Sequence, residues 1–218
     1  MSIPPRTYSA MDERRGSLST RRIESLSDSI FAVAMTVLIL DIHSPLRADL
    51  AHASLSSLLF HLSPKVLSYI ISFMVLGIGW SGHHHLFHHV KRSNRYFLWM
   101  NIVYLMGIVF IPFSTSLLGE FGDQETAILV FGLNLNFTAV MLYLMWSYAA
   151  SNHRLIDSNL ELTVVRLAKQ RILSGILLYF IIMGVSFFST KLSLLLYLVI
   201  PIFYILPGKV DRHFAHSD

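Results

Sequence analysis

Cysteine is missing altogether, which removes disulfides, thiolate metal ligands and cysteine nucleophiles from consideration. Charge is scarce as well. Asp, Glu, Lys and Arg make up 14% of the 218 residues, against 54% apolar, whereas a soluble globule carries about 25% charged residues. A water-soluble globule is therefore excluded. The polar opening, residues 1–24, holds no short apolar run followed by a small-residue cleavage site, which speaks against a cleavable signal peptide. No segment is repeated along the chain, and no catalytic constellation stands out.

What is present is a series of apolar runs matched to a bilayer, whose hydrocarbon core takes roughly 20 residues of helix. They predict six spans, about 25–42, 65–85, 97–118, 126–148, 171–189 and 191–206. The fold class is thus an all-α, polytopic membrane protein, with the first span acting as an uncleaved insertion signal. Spans five and six are separated by Ser189-Thr190-Lys191, a tight helical hairpin. Residues 1–20 read as a flexible cytoplasmic tail, rich in Ser and with Pro4 and Pro5. Residues 21–208 form the membrane domain, and 209–218 a short cytoplasmic tail.

The basic residues orient the chain. With both termini cytoplasmic, the inner segments hold Arg6, Arg14, Arg15, Arg21, Arg22, Lys91, Arg92, Arg95, Arg154, Arg166, Lys169, Arg171, Lys209 and Arg212. Only Arg47, Lys65 and Lys191 fall outside. That asymmetry follows the positive-inside rule and asks for an even number of spans. The pI of about 9.4 accordingly reflects topology, with no nucleic acid among the expected partners.

Span one is the most telling. It opens with Arg22-x-x-x-Leu26-Ser27-Asp28, and ionisable groups at the mouth of a spanning helix mark an ion path or a structural lock. Ser25 is a candidate N-cap, with Asp28 three residues on. Arg22 and Asp28 stand about 120° apart and about 9 Å along a helix, so each is expected to reach a neighbouring helix. Another face reads Ser29, Val33, Thr36, Val37, Leu40, and it suits either a narrow pore lining or ordinary packing. Asp41 ends that face, at the external mouth. The other outer acids, Asp49, Glu120, Asp123 and Glu125, read as solvated loop surface, like His43.

Span two begins at Pro64, suited to a first turn, and ends in Trp80-Ser81-Gly82-His83-His84-His85-Leu86-Phe87-His88-His89. His84 with His88, and His85 with His89, share a helix face and could chelate a metal. This motivates an alternative reading, a histidine-cluster membrane metalloprotein: a di-iron enzyme or a metal transporter. A di-iron enzyme needs further histidine boxes, and His43, His52, His61, His153, His213 and His216 form none. A secondary transporter would call for broken helices and an inverted repeat, and neither is found.

Span three opens with Arg95-Tyr96-Phe97-Leu98-Trp99, an interfacial anchor. Asn101 lies one turn deeper, where an amide needs a partner. Near its end Pro112 predicts a kink, with the hydroxyls of Ser114, Thr115 and Ser116 able to satisfy the freed carbonyl. Asn134 and Asn136 read as interhelical glue, Gly175 and Gly184 as close-contact positions, and Pro201 as a kink in span six.

These residues resemble the prokaryotic members of the transmembrane protein 175 family, potassium-permeable channels of bacteria and, in duplicated form, lysosomes. The signature Arg-x-x-x-Phe-Ser-Asp is met by Arg22, Ser27 and Asp28, with Leu26 in place of the phenylalanine. Trp80-x-x-His83-His84-x-Leu86-Phe87, Trp99-x-Asn101 and Pro112-Phe113-Ser114-Thr115 follow in order, so the similarity covers roughly residues 22–120. The resemblance implies a homotetramer in the bacterial inner membrane, with four copies of span one around a central pore. It implies a potassium-favouring channel without enzymatic activity, metal or cofactor, whose partners are its own copies, lipid and permeant monovalent cations. Its constriction would be Val33, Val37 and Leu40, with Ser29, Thr36 and Asp41 as polar lining. Arg22, Ser27, Asp28, His83 and Asn101 would form a structural network. Val33 is smaller than the residue common at that layer, which implies a wider ring.

Overall fold

The computed structural model describes residues 20–205 except His52, and the side chains in that range save those of Asp49, Phe203 and Ile205. The tails expected at 1–20 and 209–218 lie outside the described residues apart from Thr20, as do Arg6, Arg14, Arg15, Lys209, Arg212, His213 and His216.

The chain runs through α1 (Thr20–Val37), a 3-10 turn (Leu38–Asp41), a second 3-10 turn (Arg47–Ala51) and α2 (Leu55–His61). It continues through α3 (Ser63–His89), α4 (Arg95–Glu120), α5 (Glu125–Ala150), a 3-10 turn (Ser151–His153), α6 (Leu162–Ser186) and α7 (Thr190–Ile205). Five of these, counting α1 and α5 with their flanking turns, are long and apolar enough to cross a membrane. At 16 residues α7 is shorter.

Local chemistry sets the boundaries. Asn94 caps α4, its Oδ1 accepting from the Phe97 N–H at 2.9 Å, and Ser54 caps the short α2. Pro64 stands in the first turn of α3, where its missing N–H costs nothing. Ser25 is not an N-cap: α1 starts at Thr20, and the Ser25 carbonyl accepts from the Ser29 hydroxyl inside the helix. Likewise α6 begins at Leu162 rather than near Arg171, because Arg and Lys are good helix formers that extend a span into the interface.

Helices α4 and α5 form the centre. Half of the apolar stretch of each is buried, against 17% for α6. They approach closely at Gly107, where a Cβ would stand 2.6 Å from Thr138 Cγ2. Polar side chains cross between helices as an apolar solvent requires. Ser72 and Thr115 share a hydrogen bond at 2.6 Å, the Asn134 amide nitrogen donates to the Gly107 carbonyl at 3.1 Å with its oxygen 3.1 Å from the Ser114 hydroxyl, and Trp146 donates to the Val165 carbonyl at 3.1 Å. Asn136 donates to Met183 Sδ at 3.5 Å.

Two expectations fail here. Ser114 and Thr115 bond to the Ile111 carbonyl at 3.0 and 2.8 Å, not to Ile108, whose i+4 donor Pro112 lacks. A Cβ placed on Gly184 would meet nothing within 4 Å, so among the described residues this glycine marks no close contact. One placed on Gly175 would meet only Tyr204, its hydroxyl at 3.4 Å.

The α3–α4 and α5–α6 links are clipped together. Val90 and Ile156 form an antiparallel bridge, and the Lys91 and Arg92 N–H groups both donate to the Leu155 carbonyl, at 2.9 and 3.2 Å. Asn94 Nδ2 adds a bond to the Tyr148 hydroxyl at 2.8 Å, and Arg154 lies over the Tyr148 ring at 4.6 Å.

Candidate pore helix and its anchor

Helix α1 has two unlike faces. Ile23, Ser27, Phe31, Ala34 and Leu38 are buried, at steps of three and four that form one helical stripe. Across the axis Ser29, Val33, Thr36, Val37 and Leu40 are exposed.

The buried stripe is anchored by a relay of hydrogen bonds. His83 on α3 stands 2.8 Å, through Nε2, from Asn101 Oδ1 on α4. A carbonyl oxygen only accepts, so His83 carries its proton on Nε2. Asn101 Nδ2 donates to Ser27 Oγ at 3.1 Å, and Ser27 passes its own proton to the Ile23 carbonyl at 2.9 Å. All three side chains are fully buried, and the bonds run in one direction across α3, α4 and α1. The His83 ring is held between Phe87, centroid 4.4 Å away, and Tyr104, at 5.4 Å, with Phe31 of α1 tilted against it. Its Nδ1 has no hydrogen-bond partner among the described residues.

Asp28 is held elsewhere. Its Oδ1 accepts from the Trp80 indole N–H at 2.9 Å, so it joins neither His83 nor Asn101. Trp80 was missed as a site residue, although an indole N–H in an apolar span needs an acceptor and Trp80 lies one turn before His83. Arg22 departs further from expectation. It is exposed and has no side-chain partner among the described residues, because its rotation about the helix points it away from α3 and α4.

On the other face the hydroxyls fold back on their own helix. Ser29 donates to the Ser25 carbonyl at 2.8 Å and Thr36 to the Val33 carbonyl at 2.8 Å. Val33 is 60% exposed, Val37 39% and Leu40 67%. Asp41, at the end of that face, is tied to its neighbour: Ser116 of α4 donates to its Oδ1 at 2.7 Å and it is half-buried. Glu120 pairs with Lys65 at 2.7 Å, so this outer acid is not simply solvated.

The histidines scatter. His84 lies 3.4 Å from Glu24 of α1 and stacks on Trp80. His85 and His89 line a cleft, and His88 is exposed. Among the described residues no group of three His, Cys, Asp or Glu is placed to hold a metal ion, and the metalloprotein alternative finds no support.

The model of the family described as endosomal/lysosomal potassium channel TMEM175 matches residues 22–112, the stretch that contains α1 from Arg22 onward, the relay and Trp80. A potassium channel of Chamaesiphon minutus is 31% identical over 190 residues, covering 86% of this chain and 94% of that one. The chain belongs to the TMEM175 family. A potassium channel of Streptomyces collinus is 30% identical over 187 residues, 84% of this chain and 90% of the relative. The crystal structure of a lysosomal potassium-selective channel TMEM175 homolog from Chamaesiphon minutus superposes with a TM-score of 0.77 at 30% identity, covering 86% of this chain and 96% of that chain. TMEM175 proteins are channels, not enzymes, and the helices fit a multi-pass membrane protein.

Proposed function

We propose that this chain is a passive, potassium-favouring cation channel, assembled as a homotetramer with four copies of α1 around a central pore. The observation that carries this is the division of α1: one face pinned by the relay, the other uncovered and free of charge from Ser29 to Leu40. Potassium-channel relatives along nearly the whole chain support the ion. Val33, Val37 and Leu40 form the constriction, with Ser29 and Thr36 beside it. A hydrophobic ring offers an ion no ligands, so it conducts when wide enough to stay wet and closes by dewetting. Asp41, tied to Ser116, sets the outer charge of the pore from its wall.

The topology has α7 as the sixth span and both termini in the cytoplasm of a bacterium, in keeping with the basic inner segments. Residues 21–208 make up the channel domain between two cytoplasmic tails, and no cofactor beyond the permeant ion is required. Reversal potential in proteoliposomes under opposed potassium and sodium gradients tests the function. Wild type should reverse toward the potassium potential, and Leu40→Ala should change conductance or selectivity. Well-folded tetramers that pass no current, or a Leu40→Ala variant identical to wild type, would sink this assignment.

A further inference from the structure

The clip between the α3–α4 and α5–α6 links carries four exposed cations, Lys91, Arg92, Arg95 and Arg154. The Lys91 and Arg92 N–H groups donate to the Leu155 carbonyl at 2.9 and 3.2 Å, which sets those two beside Arg154 in the backbone. Arg95 opens α4 next to Asn94, whose amide reaches Tyr148 of α5.

Among the described residues none of the four pairs with a carboxylate. Asp157, the nearest acid along the chain, accepts from the Asn159 N–H at 3.0 Å. Lys91 gives one donor to the His88 carbonyl at 3.3 Å. The positive-inside rule asks only that these links be basic. It does not ask that their charges be tied together without a counterion, an arrangement that favours an anion.

Arg154 is already oriented for one. Its guanidinium lies over the Tyr148 ring, 4.6 Å from the centroid. Contact with a ring face occupies the guanidinium's flat surface and leaves its in-plane N–H groups to donate. The Tyr148 hydroxyl accepts from Asn94 Nδ2 at 2.8 Å, and its own proton goes to none of the described residues. Asn94 is fixed in turn by the Phe97 N–H, at 2.9 Å. Beside this group Tyr96 packs on Tyr148, ring centroids 4.8 Å apart, and both Tyr96 and Trp99 are exposed. Exposed Tyr and Trp at the end of a span mark the level of the lipid headgroups.

We propose that the clip binds the phosphate of an anionic phospholipid of the inner leaflet. Arg154 and the Tyr148 hydroxyl are the donors, and Arg92 and Arg95 supply neighbouring charge. A planar fork complements phosphate oxygens, and basic clusters at the cytoplasmic edge of spanning helices take anionic headgroups. The acyl chains run past Tyr96 and Trp99. The leaflet rests on the topology proposed above, whereas the site makes no use of the α1 face.

Native mass spectrometry of the detergent-purified channel, titrated with phosphatidylglycerol or phosphatidylcholine, tests this. Wild type should prefer phosphatidylglycerol, and Arg154→Gln should lower that preference about fivefold, the effect of one cation at a membrane surface. Arg154→Lys should restore only part of it, because charge returns without the fork. Tyr148→Phe keeps the ring beneath Arg154 and should lower the preference at least about twofold, as the loss of one hydrogen bond does. Arg47→Gln, remote from the clip, should leave it unchanged. Equal binding of the two lipids, or a preference that survives Arg154→Gln, overturns the proposal. So does displacement of the lipid by millimolar inorganic phosphate, which would assign the site to a free anion. Impermeant maleimide labelling of a single Ser158→Cys, in a chain without native cysteine, reads the sidedness separately. Labelling from outside would refute the topology and the leaflet, while conduction stands or falls on its own measurement.

Discussion

Ser27 and Ser29 are two residues apart on the same helix, and they are used in opposite ways. Each hydroxyl donates its proton to the carbonyl four residues back, Ile23 or Ser25. The difference lies in the oxygen. Ser27 accepts from Asn101 and becomes a link between helices, whereas the Ser29 oxygen faces the uncovered side. A hydroxyl that has spent its proton on its own helix presents only lone pairs, which suits water or a cation. The buried face of α1 thus uses its polar group to fix rotation, and the exposed face keeps its polar groups as acceptors.

Substitutions separate the two faces. Asn101→Ala has the largest expected effect, because it leaves His83 Nε2 and Ser27 Oγ buried without their partner; stability should fall by about 2–3 kcal/mol, read as a lower melting temperature of the purified protein. A melting point equal to wild type would mean that the relay is not an anchor. Asp28→Ala comes next, losing the Trp80 bond for about 0.6–1.7 kcal/mol. Asp28→Asn keeps an acceptor and should recover most of it, and failure to do so would place the role of Asp28 in its charge. Leu40→Ala should cost within about 0.5 kcal/mol in melting experiments, since its side chain is exposed, while altering single-channel conductance. A large loss of stability there would indicate that Leu40 packs in the assembly instead of lining it. Ser29→Ala should move stability least, within about 0.5 kcal/mol, and any effect should surface only in ion affinity.

Much of the fold was legible because length and hydropathy suffice to find a spanning helix. The runs near 65–85, 97–118 and 126–148 correspond to α3, α4 and α5, each extended by one to four residues at its ends. What hydropathy cannot see is a helix that continues into water. For that reason α1 and α6 begin earlier than expected, and the short α2, capped by Ser54, was not anticipated. In the anchor, Ser27, His83 and Asn101 converge in the structure. Which helix Asp28 reaches depends on the angle between α1 and α3, a property of packing that residue spacing alone does not contain. That Arg22 has no side-chain partner among the described residues follows from its rotation about α1.

The 3-10 turn that closes α1 alters the outward face in one further respect. In an α-helix successive layers of a stripe step sideways around the axis, as Val33 and Val37 do. With about 3.0 residues per turn, residues three apart are eclipsed, and the rise grows to about 2.0 Å per residue. Across Val37 and the Leu38–Asp41 segment, Val37 and Leu40 therefore come into vertical register, about 6 Å apart along the axis. The spiral becomes a column, and its last two storeys share one bearing. Four such columns facing each other would make a straight-walled chimney of two stacked collars, whose height is set by the turn's pitch and whose bore is set by side-chain size alone.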